Sequence, residues 1–421
     1  MRQEQVDLAV IGGGPAGMAA AVSAFDSGIR NLVILERDSG LGGILQQCIH
    51  NGFGLHRFRQ ELTGPEYAMR YEQMVAERKI PVRCDTTVLN LTPDRRITAV
   101  SGQAGITEYC AKAVILAMGC RERSRGALNI PGTRPAGVFS AGTAQKFVNC
   151  LGCLPGREAV ILGSGDIGLI MARRLTLEGA RVKAVCELMP HAGGLSRNIQ
   201  QCLTDFNIPL RLSHTVTAIH GRERLTGVTV SRVDKDLQPI PGTEEEIACD
   251  TLLLSVGLIP ENELTKGAGI TLDPLTGGAV VDQERQTSCP GVFACGNVLH
   301  VHDLVDFVSE EAALAGQSAA QYIQGQSAPP ASVCLSAGKG IRYTVPQRIS
   351  GTAAGVQVYF RVDRIYRNAE VQVTQGGRIL YAKRRAVLTP GGMETVTLTQ
   401  QTLNACGGGT LEIHLEEERR I

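Results

Sequence analysis

Two glycine-rich turns, each set between apolar segments, and a run of strand-like segments after residue 330 predict an α/β protein with a third, all-β part. The turns read Gly12-Gly13-Gly14-Pro15-Ala16-Gly17 and Gly163-Ser164-Gly165-Asp166-Ile167-Gly168. They lie 151 residues apart (12 to 163), and the same offset maps Glu36 onto Glu187. The predicted fold class is therefore two Rossmann-like dinucleotide-binding domains followed by a C-terminal all-β domain.

Each turn has the surroundings that dinucleotide binding needs. Apolar residues 8–11 and 159–162 precede the turns and are typical of buried parallel strands. The first glycine permits a tight turn, the second lets a pyrophosphate approach the backbone, and the third lets the helix pack on the strand. The helix then directs its N–H groups at the phosphates and ends before a glycine, Gly28 or Gly179. Two copies predict two bound dinucleotides.

The composition limits the partners and the compartment. The chain has 421 residues, enough for two or three domains, and a formal net charge of +1. That charge gives no electrostatic reason to expect nucleic acid or an anionic membrane surface as a partner. We find no apolar run of about 18 residues, the length that spans a bilayer, and no signal peptide. The 13 cysteines lack regular spacing, so we expect a reducing, cytoplasmic location.

Three later segments resemble those of a large group of flavoproteins. Residues 113–119 and 251–257 are apolar segments that end at a glycine, and residues 289–297 read Cys-Pro-Gly-Val-Phe-Ala-Cys-Gly-Asn before a helix-like stretch at 307–324. With the two turns, they resemble the two-dinucleotide-binding-domain flavoproteins, which include disulfide reductases and NADH oxidases. The resemblance covers roughly residues 6–326. It implies an FAD domain of residues 1–120 and 251–328, with an NAD domain of residues 121–250 inserted into it.

The resemblance also implies which residues contact each cofactor. The FAD set is Gly12, Gly14, Pro15, Ala16, Gly17, Glu36, Arg37, Gly42, Gly43, Ile44, Val88, Ala117, Gly119, Gly296 and Asn297. The NAD set is Gly163, Gly165, Asp166, Ile167, Gly168, Glu187 and Gly257. Because the Glu187 carboxylate accepts hydrogen bonds from ribose hydroxyls and repels a 2′-phosphate, we expect NADH to be preferred over NADPH.

Two features depart from the pattern of that group. Asn297 stands where the group usually has Asp, so it can bond the ribityl hydroxyls but carries no charge. Disulfide reductases carry Cys-x4-Cys shortly after the glycine pair equivalent to Gly42-Gly43. Here residues 44–54 contain a single cysteine, Cys48. Dithiol exchange with the flavin is therefore not expected.

Residues 44–67 and 163–178 resemble a narrower family. It comprises FAD/NAD oxidoreductase components associated with anaerobic glycerol-3-phosphate dehydrogenases, and the alpha subunits of dye-linked proline dehydrogenases and of opine and sarcosine oxidases. This resemblance implies that FAD exchanges a hydride with NAD(H) and passes electrons to or from a partner flavoprotein dehydrogenase. Two alternatives stay open: a self-sufficient NADH oxidase or peroxidase that uses Cys48, and a non-catalytic scaffold protein stabilised by flavin.

Cys48 and His50 are the candidate catalytic residues. A lone cysteine near a flavin can cycle through the sulfenic acid, but it is also a frequent core residue, and both interpretations of Cys48 remain open. His50 titrates in a range suited to proton transfer coupled to flavin reduction. A hydrogen-bonding loop histidine is at least as good an interpretation.

Two further groups suggest metals only weakly, and no metal site is predicted. Cys150 and Cys153 form a C-x-x-C motif, but no further ligands follow at the spacing of a zinc or iron–sulfur site. The segment His300-Val301-His302-Asp303 is explained more simply by polar packing or by groups on the substrate side.

The chain changes character near residue 330. Strand-like segments follow at 340–349, 356–362, 370–375, 378–388, 394–400 and 410–416, with Gly376-Gly377 as a two-residue hairpin turn. We therefore expect a small β domain, such as a sandwich, over residues 331–421. This domain carries no chemical motif. Two roles stay open for it: docking of the partner protein, and covering of the flavin domain's own surface.

Overall fold

The structure, a computed structural model, describes residues 2–326, 331–350, 355–406 and 409–417. The chain divides into two compact units, Met1–Cys120 with Pro260–Ile421, and Arg121–Ile259. The second unit is continuous in sequence and is inserted into the first.

The N-terminal part of the first unit contains eight strands and two helices among its described residues. They are β1 (Arg2–Ile11), α1 (Pro15–Asp26), β2 (Leu32–Leu35), β3 (Asn51–Phe53), β4 (Leu62–Thr63), α2 (Gly64–Glu77), β5 (Val82–Arg83), β6 (Thr86–Leu91), β7 (Arg96–Ser101) and β8 (Gly105–Leu116). Strand β1 runs parallel to both β2 and β8, so Leu8 lies beside Leu32 and Ala113. The central strand of the sheet is therefore the one that leads into the first glycine-rich turn.

The inserted unit begins after β8 and contains a parallel sheet and a smaller antiparallel sheet. Its elements are β9 (Cys120–Glu122), α3 (Arg125–Leu128), β10 (Val138–Ser140), α4 (Ala141–Leu151), β11 (Glu158–Leu162), α5 (Asp166–Leu177), β12 (Arg181–Glu187), α6 (Ser196–Cys202), β13 (Leu210–Leu212), β14 (His214–Gly221), β15 (Leu225–Arg232), β16 (Glu245–Ala248) and β17 (Thr251–Leu254). The parallel sheet has the order β10-β17-β11-β12-β13. Strands β14, β15 and β16 form a separate antiparallel sheet.

Strand β17 corrects one detail of the sequence interpretation. The flavoprotein resemblance predicts that residues 251–254 open the returning segment of the FAD domain. They instead pair with β11 and β10, so they complete the sheet of the inserted unit. All four residues of β17 are buried, and the strand lies between β10 and β11 of that sheet. The inserted unit therefore includes β17, and the chain leaves it only after residue 254.

The chain then returns to the first unit at Pro260, within β18 (Leu258–Pro260). The elements that follow are α7 (Glu263–Gly267), β19 (Val292–Ala294) and α8 (Val305–Ile323). The sheet of this unit has seven strands. Six of them follow the order β5-β2-β1-β8-β7-β6, and the seventh, β19, pairs in parallel with β8 outside that order. Helix α8 packs closely on α1, because a Cβ atom at Gly316 would lie 2.2 Å from the Ala20 carbonyl oxygen. Both faces of the sheet are buried, with Leu8 and Val10 in one core cluster and Ala9 and Ile11 in the other.

The C-terminal region consists of two sheets around one hydrophobic core. Its elements are β20 (Val333–Ala337), β21 (Ile341–Val345), β22 (Arg348–Ile349), β23 (Gly355–Val362), β24 (Tyr366–Gln375), β25 (Arg378–Leu388), β26 (Glu394–Thr399), α9 (Gln400–Asn404) and β27 (Gly409–Glu417). The sheets have the orders β22-β20-β27-β24-β25 and β21-β23-β26. Gly376 and Gly377 join β24 to β25 with φ angles of 55° and 84°, the left-handed conformation that such a hairpin turn requires.

The C-terminal region also packs on the Rossmann-like part of its own unit. Tyr343 and Val345 belong to the core cluster that contains Ala9 and Ile11 of β1. The Gln347 side chain accepts a hydrogen bond from the Val281 N–H (3.0 Å), and the Gln347 N–H donates to the Val281 carbonyl (3.1 Å). Part of the C-terminal region thus covers one face of the Rossmann-like sheet that contains β1.

The predicted fold class is confirmed, with two Rossmann-like α/β parts and a sheet-rich C-terminal region. Strand β20 was missed. Within the described residues, none of the helices combines the length and the apolar character that crossing a membrane requires.

Candidate cofactor-binding sites

The first glycine-rich turn joins β1 to α1, and its geometry requires glycine at two positions. Gly12 has a φ of +106°, and a Cβ atom there would lie 2.4 Å from the Ala117 carbonyl oxygen. A Cβ atom at Gly17 would lie 1.8 Å from the Gly12 carbonyl oxygen, so this glycine lets α1 start directly against the turn. Gly14 differs, because a Cβ atom there would meet no protein atom within 4 Å. The open side of the turn is therefore at its second glycine.

The second turn, between β11 and α5, repeats this arrangement. Gly163 has a φ of +97°, and its Cβ atom would lie 2.0 Å from the Ser255 carbonyl oxygen. A Cβ atom at Gly168 would lie 2.7 Å from the Cβ atom of Ser255. At Gly165 the nearest protein atom would be the Ser255 hydroxyl at 3.4 Å, an ordinary contact. The Ser255 carbonyl thus lies against the first glycine of this turn, as the Ala117 carbonyl does in the first turn.

The two acids that end the second strands make matching hydrogen bonds. Glu36 accepts from the N–H groups of Gly13 and Asp38. Glu187 accepts from the N–H groups of Ser164 and Met189, both at 2.9 Å. Both acids are buried, with 6% and 9% of their surface exposed. Each carboxylate therefore fixes its own glycine-rich turn against the end of the neighbouring strand.

Neither helix that follows a turn is capped by the side chain of its own N-cap residue. Gly14 and Gly165 occupy the N-cap positions and offer no side chain to the first N–H groups of α1 and α5. In α5 the Ser255 hydroxyl accepts the Gly168 N–H (3.1 Å). The first turn of α1 contains no acid. In α5 the first residue is Asp166, whose carboxylate accepts from the Leu195 N–H (2.9 Å) and the Asn198 side chain (2.7 Å). Helix N-termini that begin at open glycines fit the phosphates of a dinucleotide.

A second glycine pair lies against the first turn. Gly42 and Gly43 have φ angles of +101° and +53°, and the Gly42 N–H donates to the Gly13 carbonyl over 2.9 Å. A Cβ atom at Gly43 would lie 3.2 Å from the Gly14 Cα atom. The structure therefore brings Gly43 next to the open side of the first turn.

Cys48 and His50 lie just beyond this glycine pair. Cys48 follows a 3₁₀ helix at Gly43–Gln47, is half-buried, and directs its Sγ atom to the Ile44 carbonyl oxygen at 3.3 Å. The His50 ring lies 4.9 Å from the Phe53 ring, and its Nδ1 atom is 3.0 Å from the Asn51 carbonyl oxygen. These contacts give both residues structural roles, whatever chemistry they perform.

The other predicted contact residues fall into three groups. Pro15, Ala16, Asp166 and Ile167 belong to the first turns of α1 and α5. Ala117, Gly119 and Gly257 follow the strands β8 and β17, and the last two have φ angles of +73° and +102°. Arg37 and Ile44 are exposed, whereas Val88 lies in β6 against a core cluster.

Gly296 and Asn297 form a turn that contacts α1. A Cβ atom at Gly296, where φ is +72°, would lie 2.8 Å from the Cβ atom of Ala16. The Asn297 side chain accepts from the His302 N–H (3.0 Å) and donates towards the Cys120 sulfur (3.7 Å). Gly296 therefore lies beside the first helical turn that follows Gly14.

Behind this turn, Glu311 of α8 lies at the centre of a buried polar cluster. Its Oε1 atom accepts from Arg285 Nε (2.9 Å) and His300 Nε2 (3.0 Å), and its Oε2 atom accepts from the Gly296 N–H (2.9 Å) and His302 Nε2 (3.0 Å). Burial alone would raise the pKa of Glu311, but the two histidines and Arg285 hold that pKa well below its usual range. Burial and then the neighbouring His302 lower the pKa of His300 to about 4. Sequence reasoning missed Glu311 and Arg285.

This cluster has the residue types of a metal site, because ligand atoms of His300, His302 and Glu311 lie within 4.8 Å of one another. A carboxylate offers about four lone-pair positions, and four donors already point at this one. Arg285 also supplies the positive charge that Glu311 needs. Hydrogen-bond donors and one ion pair therefore account for the Glu311 carboxylate without a metal ion.

The C-x-x-C motif lies elsewhere, at the end of α4 in the inserted unit. Cys150 and Cys153 are both exposed, and Cys153 Sγ lies 3.4 Å from the Leu151 carbonyl oxygen. Nothing in these contacts indicates a metal ligand set.

Comparison with known proteins agrees with this arrangement. Residues 6–321 match the family model described as pyridine nucleotide-disulphide oxidoreductase. The HcnB component of hydrogen cyanide synthase from Pseudomonas protegens is 26% identical over 80% of this chain and 77% of its own length. An opine oxidase subunit from Agrobacterium tumefaciens is 26% identical over 69% of this chain. The chain spans 61% of that relative.

Two solved structures share the fold. Thioredoxin reductase of T. acidophilum superposes with a TM-score of 0.64 at 24% identity, over 77% of this chain and all of its own. L-Proline dehydrogenase of P. horikoshii superposes with a TM-score of 0.53 at 20% identity, over 78% of this chain and 57% of its own. The chain therefore belongs to the pyridine nucleotide-disulphide oxidoreductase family, and it is an FAD-dependent NAD(P)H oxidoreductase.

Proposed function

We propose that the turn Gly12–Gly17 binds FAD, that the turn Gly163–Gly168 binds NAD(H), and that NADH is preferred over NADPH. The observation that carries this proposal is the repetition of one arrangement in two separate sheets. Each turn has an open second glycine that is also the N-cap of the following helix, and a buried acid that accepts the N–H of the turn's second residue. Bound at these two sites, the cofactors would supply the redox chemistry, which is transfer of a hydride from the nicotinamide of NADH to the flavin of FAD.

The residues of the chain then bind and orient the two cofactors. Gly14 and Gly165 give the pyrophosphates access to the backbone, and α1 and α5 direct their N-termini at them. Glu36 and Glu187 would accept hydrogen bonds from the adenosine riboses. Gly43, which lies against Gly14, and Gly296, which lies against Ala16, would line the flavin. The remaining proposed contacts are Pro15, Ala16, Gly17, Arg37, Gly42, Ile44, Val88, Ala117, Gly119, Asn297, Asp166, Ile167, Gly168 and Gly257.

We further propose that the electrons pass to or from a partner flavoprotein dehydrogenase of the glycerol-3-phosphate or amino-acid dehydrogenase type. The relatives from P. protegens and A. tumefaciens are themselves named as subunits, which supports a multi-subunit assembly. The chain lacks the Cys-x4-Cys dithiol that a disulfide reductase would use. The unpatterned cysteines favour the cytoplasm.

The C-terminal region is the proposed docking element. Strand β25 is at the end of its sheet, and pairs among the described strands only with β24. Nearly all of its residues are exposed or half-buried, including Lys383 and Arg384. An end strand of this length offers backbone hydrogen-bonding groups to another chain.

Anaerobic titration of the purified chain with NADH, followed at the flavin absorbance, tests the proposal. We expect the protein to carry FAD and one equivalent of NADH to bleach it. A flavin that NADH does not bleach would favour the scaffold alternative. Fast consumption of oxygen or peroxide by the isolated chain would favour the self-sufficient oxidase or peroxidase.

A further inference from the structure

We infer that Glu311 is a positioning residue for the FAD site, because it holds the turn of Gly296 and Asn297 in place from behind. This inference rests on the proposed assignment of the first turn to FAD. It extends that assignment to a buried cluster of Arg285, His300, His302 and Glu311, called here the Glu311 cluster.

The contact between Glu311 and Gly296 is direct. The Glu311 side chain is completely buried, and its Oε2 atom accepts the Gly296 N–H over 2.9 Å. Gly296 in turn touches Ala16, in the first turn of α1. A change in the position of this carboxylate therefore moves a backbone segment that contacts the first turn of α1, directly after the first glycine-rich turn.

The histidines extend the same control to Asn297. Because a carboxylate only accepts hydrogen bonds, His300 and His302 must carry their protons on Nε2, where each faces Glu311. Their Nδ1 atoms are buried and have no hydrogen-bond partner among the described residues, so the two rings are held through Glu311. The His302 backbone N–H then donates to the Asn297 side chain over 3.0 Å. The cluster thus sets which way the Asn297 amide points.

The C-terminal region closes the Glu311 cluster from its other side. The Tyr359 ring of β23 lies 5.4 Å from the His300 ring and 5.7 Å from the His302 ring. Arg361 of the same strand donates to the Val301 carbonyl over 3.1 Å and pairs with Asp303. The loop that carries both histidines is therefore fixed by α8 and by β23. In such a buried site the four hydrogen bonds to Glu311 hold a single geometry.

The test compares Glu311→Gln with Glu310→Gln. Glu310 is the preceding residue of α8 and is exposed, so it is a matched control. An amide accepts hydrogen bonds at its oxygen only, so Glu311→Gln leaves two of the four donors without an acceptor. We expect the dissociation constant for FAD, measured by flavin fluorescence on the FAD-free protein, to rise at least tenfold. In the FAD-saturated variant the KM for NADH should stay within twofold. Glu310→Gln should change neither value by more than twofold.

The outcomes separate this inference from the proposed function. Wild-type protein that does not bind FAD would contradict the proposed function itself. Wild-type protein that binds FAD, with a Glu311→Gln variant that loses thermal stability but keeps its FAD affinity within twofold, would overturn the inference and leave the proposed function intact.

If Glu311→Gln does not fold, His302→Phe provides the second test. This variant keeps the ion pair of Arg285 and Glu311 and fills the space of the ring. It removes one donor to Glu311 while the backbone N–H of residue 302 remains. We expect FAD affinity to fall at least threefold, and an affinity within twofold of wild type would overturn the inference.

Discussion

The Ser164 hydroxyl donates to Glu187 Oε2 over 2.6 Å, beside the Ser164 N–H that donates to the same oxygen over 2.9 Å. The same hydroxyl accepts the Gly193 N–H over 2.8 Å. Gly13, at the matching position of the first turn, has no side chain to do this. The second turn therefore fixes its acid with one extra hydrogen bond and connects it to the loop at residue 193.

This fixed carboxylate predicts nucleotide preference. Glu187 ends β12 beside the second turn, where a negative charge repels the 2′-phosphate of NADPH. We expect kcat/KM for NADH to exceed that for NADPH at least tenfold, which corresponds to about 1.4 kcal/mol. Initial rates with both nucleotides measure this, and Ser164→Ala should keep the preference because the backbone N–H still holds the acid. Equal values for the two nucleotides would rule out the proposed role of Glu187.

Gly14 and Gly165 allow the two proposed cofactors to be separated. Neither position has a left-handed φ, and a Cβ atom meets no close protein atom at either, so the backbone of both turns accepts a side chain there. Gly14→Val should fold but purify without FAD, whereas Gly165→Val should stay yellow and react with NADH at least a hundredfold more slowly. Absorbance spectra and stopped-flow reduction distinguish them. The reverse pattern would exchange the two cofactor assignments.

Arg361 should matter more than a neighbouring arginine on the same surface. It pairs with Asp303 and donates to Val301, and its side chain is 13% exposed. Removing one member of a largely buried pair costs about 3 to 5 kcal/mol, so Arg361→Met should lower the free energy of unfolding by an amount near that range. Arg364→Met removes an exposed pair with Glu417 and should change little. Urea unfolding of both variants measures the difference. Similar decreases in the free energy of unfolding would show that the contacts of Arg361 with Asp303 and Val301 are no more stabilising than the exposed pair of Arg364.

The parts of the fold that are local in sequence were predictable, and the parts that join distant segments were not. Gly12, Gly28, Gly163 and Gly179 all have positive φ angles, as their positions in the two motifs require. Strand β20 was missed because Val333–Ala337 mixes apolar and polar residues and pairs with β27, far along the chain.

The Glu311 cluster shows the same limit. Its donors come from residues 285, 296, 300 and 302, and nothing in the spacing predicts that they meet at one carboxylate. One signal was present. Glu311 lies in the apolar stripe of α8 with Val308, Ala312 and Ala315, and a charged residue in such a stripe has to be paired.

His300 makes stability depend on pH. Its pKa is about 4 in the folded protein and about 6.5 when unfolded, so between these values only the unfolded chain binds the proton. Stability must therefore fall as the pH drops from 6.5 towards 4, by about 2 to 3 kcal/mol in total. The Glu311 contribution is lost only below about pH 4.5, because its folded pKa is depressed. Urea unfolding of the wild-type protein should show a lower free energy of unfolding at pH 4.7 than at pH 7.0. This decrease should be smaller in His300→Gln and unchanged in His56→Gln, where the histidine is exposed. A decrease in His300→Gln as large as in the wild type would contradict the role of His300.

Cys48 is expected to be dispensable for flavin reduction. Its Sγ atom lies 3.3 Å from the Ile44 carbonyl oxygen, and a serine hydroxyl can donate to the same oxygen, so Cys48→Ser should preserve the segment after Gly43. Without a Cys-x4-Cys partner, the thiol could work only as a sulfenic acid or as a charge-transfer donor.

We therefore expect Cys48→Ser to retain FAD and to be reduced by NADH with less than about a tenfold loss in rate, or about 1.4 kcal/mol. Cys334→Ser, at an exposed cysteine of β20, is the control. The isolated wild-type chain should turn over slowly with oxygen and peroxide but readily with an artificial dye, because the outlet proposed for its electrons is a partner protein. A fast peroxide activity that Cys48→Ser abolishes and Cys334→Ser leaves intact would make the chain a self-sufficient peroxidase instead.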